Sequence, residues 1–309
     1  MSHTSVLLRE SIDALKIKSN GIYVDGTLGR GGHSAAILAQ LDGGHLYAFD
    51  RDQEAIEASN DRLQRISDAF TLIHANFSQM KEKLEAYHVN EVDGILLDLG
   101  VSSPQFDEAQ RGFSYRYDAR LDMRMDQGQP LSAWEVVNEW DYTALSDIFY
   151  RYGDEKFARV IARAIERQRI QASINTTWEL VEVIKSALPQ RELRKKGHPA
   201  KRVFQAIRIA VNDEMGELTK VLEDGIHLLK PGGRMCVISF HSLEDRIVKH
   251  AFVGASSTPQ IDKRIPILAK DLPQAPYRII TKKAIVANET EQNENHRAHS
   301  AKLRVLERI

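Results

Sequence analysis

Four short apolar runs punctuate the first hundred residues: "GIYVDG" (21–26), "GHLYAFD" (44–50), "FTLIHANF" (70–77) and "VDGILLDLG" (92–100). Each is a few residues long and bounded by Gly, Asp or Asn, which predicts strands. Between them, "HSAAILAQL", "QEAIEASNDRLQRI" and "SQMKEKLEAY" carry helical spacing. In the second, Ile56, Leu63 and Ile66 share one side while Glu54, Glu57, Asp61 and Arg65 face away. Strand and helix in alternation predict an α/β fold, doubly wound around a parallel sheet with right-handed crossovers. The near-continuous apolar run "GILLDL" fits a strand covered on both faces.

The next convincing strand is "GGRMCVISFHS" (232–242), and 131 residues separate Gly100 from Gly232. A crossover needs only a dozen or so, so an insertion is expected. It reads as helix. "DEKFARVIARAIERQ" puts Phe157, Val160, Ile161, Ala164 and Ile165 on one stripe, and "TTWELVEVIKSAL" opens with a capping pattern from Thr176 to Glu179. A long helix with a break near Gly216 then runs to Pro231-Gly232-Gly233, its last part serving as the crossover. The expected division is an inserted all-helical domain over 104–201, with 1–103 and 202–309 forming one discontinuous domain. After an irregular Pro-bearing stretch (257–276), "YRIITKKAIVA" and "KLRVLERI" predict two closing strands joined by the polar loop "NETEQNENHRAHS". Seven strands ending in a hairpin follow the plan of the Rossmann-like S-adenosylmethionine (SAM) methyltransferase sheet. The six-stranded dinucleotide fold fits less well.

Composition narrows the class. Hydrophobic residues make up 42% and charged ones 28%, with a net charge of −1, so any nucleic-acid site must be a local patch. A single cysteine, Cys236, excludes an internal disulfide and a cysteine metal cluster. Arg9, Glu10 and Asp13 interrupt the N-terminal segment, and no run is long and apolar enough for a membrane helix. A soluble cytoplasmic protein is expected.

The stretch "VDGTLGRGGHS" (24–34) crowds Gly26, Gly29, Gly31 and Gly32 into a strand-to-helix turn. It misses the strict G-x-G-x-x-G of dinucleotide sites, although Asp50 stands 19 residues beyond Gly31, where an acid takes ribose hydroxyls. Because SAM and NAD share an adenosine ribose, Asp50 does not separate them. A looser turn opened by Asp25 suits the amino-acid end of SAM, with Asp25 near its cationic groups. A ligand-free tight turn is the plain alternative.

Six longer motifs are more specific: "DGTLGRGGHS", "LDLGVSSPQ", "RGFSY", "LDMRMD", "HPAKRVFQAIRI" (198–209) and "SFHSLEDR" (239–246). With "HTSVLL" near the start and "RAHSAKLRVLER" near the end, the chain resembles, along its whole length, the bacterial 16S ribosomal RNA (cytosine-N(4))-methyltransferases, or MraW proteins. It departs from their pattern at "NHRAHSAK", which lacks one basic residue, and at Arg120, where proline is common. The resemblance implies SAM as methyl donor and a decoding-site cytidine of small-subunit 16S rRNA as acceptor. It also implies a cofactor set of Gly31, Gly32, His33, Asp50, Phe77, Asp98 and Gln105.

Cytosine's amino group is a poor nucleophile, so acceptors that bond its hydrogens and align it are needed. Asp98, Ser102 and Ser103 are candidates, and His241 lies at the ligand edge of the fifth strand. The plainer reading of that region is a capping box of Ser242 and Asp245. For rRNA, "RELRKKGHPAKR" (191–202) sets six basic residues, Arg194, Lys195, Lys196, Lys201 and Arg202 among them, against one Glu. Arg111, Phe113, Arg120 and Arg124, with Tyr115 and Tyr117, interleave aromatic and basic side chains suited to a flipped-out base. Core packing competes for Phe113, and Trp134, Trp140 and Trp178 are expected to pack the insertion. No metal site is expected. A nicotinamide oxidoreductase and a catalytically silent rRNA-binding assembly factor are the competing functions.

Overall fold

The computed structural model describes residues 5–258 and 274–309, so most of the Pro-bearing stretch lies outside the described residues. The chain divides into two compact units, Met1–Gly100 with Gly216–Ile309, and Val101–Met215.

The first unit is a seven-stranded sheet: β1 Ile22–Asp25, β2 His45–Asp50, β3 Phe70–His74, β4 Val92–Asp98, β5 Leu229–Ser239, β6 Tyr277–Ile279 and β7 Lys302–Arg308, in the order β3-β2-β1-β4-β5-β7-β6. The first five pair in parallel and the last two antiparallel, as a closing hairpin requires. Between the early strands run α1 Leu8–Leu15, α2 Gly32–Leu38, α3 Gln53–Gln64 and α4 Met80–Ala86. Period-two alternation sorts the strands into two cores. Ile95, Leu97, Met235 and Val237 enter one with Phe49, Val221 and Phe252. Leu96, Cys236 and Ile238 enter the other with Tyr23, Leu46 and Leu303. Both faces are therefore covered, which is why "GILLDL" reads as an unbroken apolar run.

The second unit contains α5 Ser103–Asp107, α6 Ala133–Glu139, α7 Tyr142–Arg151, α8 Ala158–Gln171, α9 Thr177–Ala187, α10 Gln190–Leu193 and α11 Lys201–Asn212. Thr176 and Glu179 form the expected capping box of α9. On α8 the buried stripe is Ala158, Ile161, Ala162 and Ile165, whereas Val160 is half exposed. Trp134 and Trp140 pack against this core; Trp178 is exposed instead.

Several boundaries differ from the sequence expectation. The long helix breaks at Asp213, whose φ of 45° lies in the left-handed region, three residues before the expected break at Gly216. Helix α12, Glu214–His227, starts there and ends before β5, which begins at Leu229 and carries Pro231-Gly232-Gly233 within it. Helix α11 buries Val203, Phe204, Ile207 and Val211 in the helical core, so the insertion extends past Lys201 to Met215. Each such side chain contributes roughly 1.5–3 kcal/mol by burial, enough to decide which unit owns the helix. Part of the polar loop is ordered as α14, Glu289–Glu294, capped by Asn288. Of "YRIITKKAIVA", only Tyr277–Ile279 forms a strand; Ile285 returns as a single bridge to Leu303.

Candidate functional site

The sheet order reverses at β1 and β4: the chain moves outward through β2 and β3, then returns to the other side of β1. Open α/β sheets bind ligands at such a point, beyond the carboxyl ends of the strands. Three acids end three adjacent strands there, Asp50 on β2, Asp25 on β1 and Asp98 on β4.

Asp25 is fully buried. Its Oδ1 accepts from Thr27 N at 3.0 Å and its Oδ2 from Ser34 Oγ at 2.6 Å, so it fastens the glycine turn to α2 from within. The position near a cofactor's cationic groups suggested by sequence spacing is not the one it occupies: its oxygens face the turn's own donors. Gly31 caps α2 with φ 69°, a conformation glycine adopts without strain. A Cβ on Gly32 would collide with Ser5 Oγ. Asp50 steadies the same turn, its Oδ2 accepting from Gly29 N at 2.8 Å and its Oδ1 from Asp52 N at 2.9 Å. Burial pushes the Asp50 carboxyl up to about 6 against those two hydrogen bonds. Phe77 opens a 3-10 turn after β3, and its Cβ lies 3.2 Å from where a Cβ on Gly26 would be. The structure thus brings Gly31, Gly32, His33, Asp50, Phe77 and Asp98 to one edge of the first unit.

The centre of this edge is Asp98 with His33. Asp98 N donates to Thr27 Oγ1 at 2.6 Å, holding the end of β4 against the turn. Its Oδ2 lies 3.6 Å from His33 Nδ1. Its Oδ1 is shut off from solvent and has no hydrogen-bond partner among the described residues. Such an orphan acceptor is costly unless a ligand or proton completes it. Burial, reinforced by the Asp25 charge and opposed by Arg297, raises the Asp98 carboxyl to about 8. His33 is buried, and its Nε2 lies 3.2 Å from the carbonyl of Val6. A carbonyl only accepts, so Nε2 carries a hydrogen. Burial also holds the imidazole below its ordinary pKa, leaving Nδ1 as a lone pair directed toward Asp98. Carboxyl and imidazole thus face each other at 3.6 Å, just beyond a direct hydrogen bond. The sequence contains both residues but no sign of this pairing, because 65 positions separate them and only the β1–β4 pairing unites them.

The other candidates are differently engaged. His241 is the N-cap of α13, Ser242–Ala255: its Nδ1 accepts from Glu244 N at 3.4 Å, while Glu244 Oε2 accepts from His241 N at 3.1 Å and Phe240 N at 2.7 Å. The box is therefore His241–Glu244, one residue earlier than the expected Ser242–Asp245 pair, because Asp245 is held by Arg304 and Lys302. Nδ1 of His241 is engaged by the cap, while its buried Nε2 lies 3.2 Å from Glu244 Oε1 and has no hydrogen-bond partner among the described residues. Replacing His241 with Asn, a good cap, should leave the melting temperature and turnover near those of the parent. His241→Ala should cost about 1 kcal/mol of stability with kcat preserved. Loss of turnover in a folded His241→Asn protein would restore the base assignment.

Ser102 and Gln105 belong to the second unit. Ser102 N donates to Gln105 Oε1 at 3.0 Å and Gln105 N to Ser102 Oγ at 3.5 Å, reciprocal contacts of capping-box form at the start of α5. Nothing is described for the side chain of Ser103.

Among the proposed RNA contacts, Arg111 is buried and donates to the carbonyls of Arg124 and Met125. Phe113 is buried in the helical core. Arg124 pairs with both oxygens of Asp122 and donates to the carbonyls of Gln127 and Gln129. These three build the inserted unit's own loop and core instead of standing free to meet a base. Guanidinium groups serve there because one fork satisfies several loop carbonyls at once. Tyr115 is stacked on His198 at 4.1 Å. Lys195 pairs with Glu192 and Arg202 donates to the carbonyl of Asp154. Arg120, Arg194, Lys196 and Lys201 are exposed.

Comparison with known proteins gives a consistent result. The family model described as "MraW methylase family" matches residues 1–309. A ribosomal RNA small subunit methyltransferase H from Exiguobacterium sibiricum is 55% identical over 307 residues, covering 99% of this chain and 98% of that one. A protein of the same name from Limosilactobacillus fermentum is 53% identical over 310 residues, covering 100% and 98%. A solved rRNA methylase from Streptococcus thermophilus aligns over 98% of this chain and 93% of its own, with 13% identity and a TM-score of 0.39.

Proposed function

The chain belongs to the MraW methylase family, and from that premise we propose that it methylates the exocyclic N(4) amine of a decoding-site cytidine in 16S rRNA, in the cytoplasm where ribosomes assemble. The methyl donor is SAM, which supplies an already activated methyl group when bound. The observation that carries the reading is the orphaned Oδ1 of Asp98 at the switch point of the sheet, beside the glycine turn that opens α2.

The residues divide the work. The turn at Gly31 and Gly32 lets Ser59 and Ser5 approach the backbone and so shapes the start of α2, and Asp50 offers carboxylate lone pairs to ribose hydroxyls. Asp98 plays two parts in sequence. Its ionised form would balance the positive charge of the donor, and Oδ1 would accept a proton from the amine as nitrogen bonds to the methyl carbon and the carbon–sulfur bond breaks, leaving a neutral thioether. His33, whose Nδ1 faces Oδ2, orients Asp98. The net charge of the pocket is thereby held nearly constant through the cycle, which limits the cost of burying it. Most of the acceleration comes from alignment.

This reading makes a binding prediction independent of catalysis. With its carboxyl at about 8, Asp98 is protonated at pH 7 in the cofactor-free protein and should release that proton when a cation binds beside it. Calorimetry in two buffers of different ionisation enthalpy should show about one proton released per SAM at pH 7. S-adenosylhomocysteine, with its neutral sulfur, should release almost none. Equal release for both ligands would remove Asp98 from the neighbourhood of the sulfonium.

The activity itself is tested with methyl-labelled SAM and small subunits from cells lacking this enzyme, followed by mass spectrometry of the nucleosides. Label on cytosine N(4) is the expected result. SAM binding without any transfer would favour the silent assembly factor.

A further inference from the structure

Helix α8 of the second unit has a face that its packing does not explain. Its buried stripe is satisfied by Ala158, Ile161, Ala162 and Ile165. Elsewhere on its surface Arg159, Arg163 and Arg167 recur at four-residue intervals, all exposed. Side chains four apart neighbour one another, and each step rises about 6 Å along the axis. The three guanidinium groups therefore form a comb about 12 Å long. Together with Gln168 and Gln171 from the same helix and Ser186 from α9, they line a groove of about 600 Å³. Val160, Ala164 and Ala187 supply its apolar part.

The charge in this groove is poorly compensated. Arg163 alone is braced, its guanidinium 4.3 Å from the Tyr142 ring centre and 2.8 Å from Glu166. Arg159 and Arg167 make no ion pair or hydrogen bond among the described residues. Like charges at i,i+4 destabilise a helix, and here two such pairs stand in succession. Solubility alone would be served as well by alternating signs, as on α7 and α9, where Arg151 pairs with Asp147 and Lys185 with Glu182. An elongated anion resolves the repulsion. The groove's length matches a strand with several charges rather than a single ion. Guanidinium forks recognise phosphate in two-pronged fashion, glutamine and serine add neutral donors and acceptors, and the alanine and valine surfaces accommodate sugar carbons.

We propose that the groove between α8 and α9 docks the sugar–phosphate backbone of the substrate rRNA, with Arg159, Arg163 and Arg167 as its phosphate contacts. This rests on the rRNA reading above and adds a location that the basic run at 191–202 did not suggest. Contacts of this kind hold RNA in register without reading its bases, so they belong to affinity rather than to chemistry.

The test uses the full-length protein with Arg159, Arg163 and Arg167 all changed to Ala, unmethylated small subunits, and deproteinised 16S rRNA as a second probe. The KM for subunits should rise tenfold or more, with kcat and SAM affinity near the parent's. The salt dependence of rRNA binding should lose about two units of logarithmic slope, as expected for three lost phosphate contacts on a single strand. A charge-matched control, Lys81→Ala with Lys282→Ala and Lys283→Ala, should change neither quantity. If the triple-alanine protein unfolds, Arg159→Glu with Arg167→Glu leaves the Arg163 contacts in place and should weaken binding further. Parental KM and slope in either variant would overturn the proposal, as would equal losses in the lysine control. Loss of subunit binding with rRNA binding intact would mean that the groove meets a ribosomal protein instead, and would also overturn it. Failure of the function reading is distinct: the parent itself would then transfer no methyl group to any subunit, while the salt dependence of rRNA binding would still report on the groove.

Discussion

Replacing Asp98 with Asn should reduce kcat by about 10²- to 10⁴-fold, the range expected when a positioned proton acceptor is lost. The same change should make the protein more heat-stable at pH 8–9. These opposite effects have one cause. Asp98 has an ordinary carboxyl pKa of 3.8 in the unfolded chain and about 8 in the folded one. The folded state therefore holds the proton more tightly. The stability linked to that proton is fully present below pH 3.8 and is lost as pH rises through 8. Above pH 8 the parent carries an ionised Oδ1 without a partner, whereas Asn carries no charge. Thermal unfolding of the two proteins should accordingly match below about pH 4, diverge progressively in favour of the variant as pH rises toward 8, and differ by a constant amount above that. The strain resides at the place where the chemistry needs an acceptor, a common arrangement in active sites. Turnover within about tenfold of the parent, or a variant less stable at pH 9, would remove Asp98 from the role assigned to it. His33→Ala supplies a further check: if His33 acts through Asp98, the pH dependence of kcat should shift rather than only its height.

Asp50→Ala should raise the Kd for SAM by about 30- to 100-fold, with a smaller effect on kcat at saturating cofactor. The basis is the net loss of one hydrogen bond between a carboxylate and a ribose hydroxyl, since a bond to a charged group contributes roughly 1.5–3 kcal/mol. In this protein the same carboxylate also accepts from Gly29 N and Asp52 N, so its loss additionally loosens the turn. Burial sets its pKa at about 6, and parental affinity should decline as pH falls through that value while the Asp50→Ala protein shows no such decline. Calorimetry from pH 5 to 8 reads both. An unchanged Kd in the variant would exclude Asp50 from the ribose site.

The sequence alone determined the order and kind of most elements. Strand periodicity, the capping pattern at Thr176 and the turn residues are local properties, and local physics reads directly from a chain. The glycine turn, Asp50 and Asp98 were legible for the same reason, since each stands at a fixed place relative to its own strand. Helix ownership was not legible: α11 has an apolar stripe that either unit could cover, and only the packing of Val203, Phe204 and Ile207 assigned it to the insertion. The fates of polar side chains were least legible, because charge at a sequence position does not say what it faces. Arg111 and Arg124 look like surface cations and are loop fasteners; His241, a candidate base, also caps α13. Conversely, the Asp98–His33 pair and the arginine comb of α8 exist only where folding brings strand ends and helix turns together. Sequence fixes which groups the protein possesses, but burial and proximity, which only the fold creates, decide whether each holds the structure together or is left available to act.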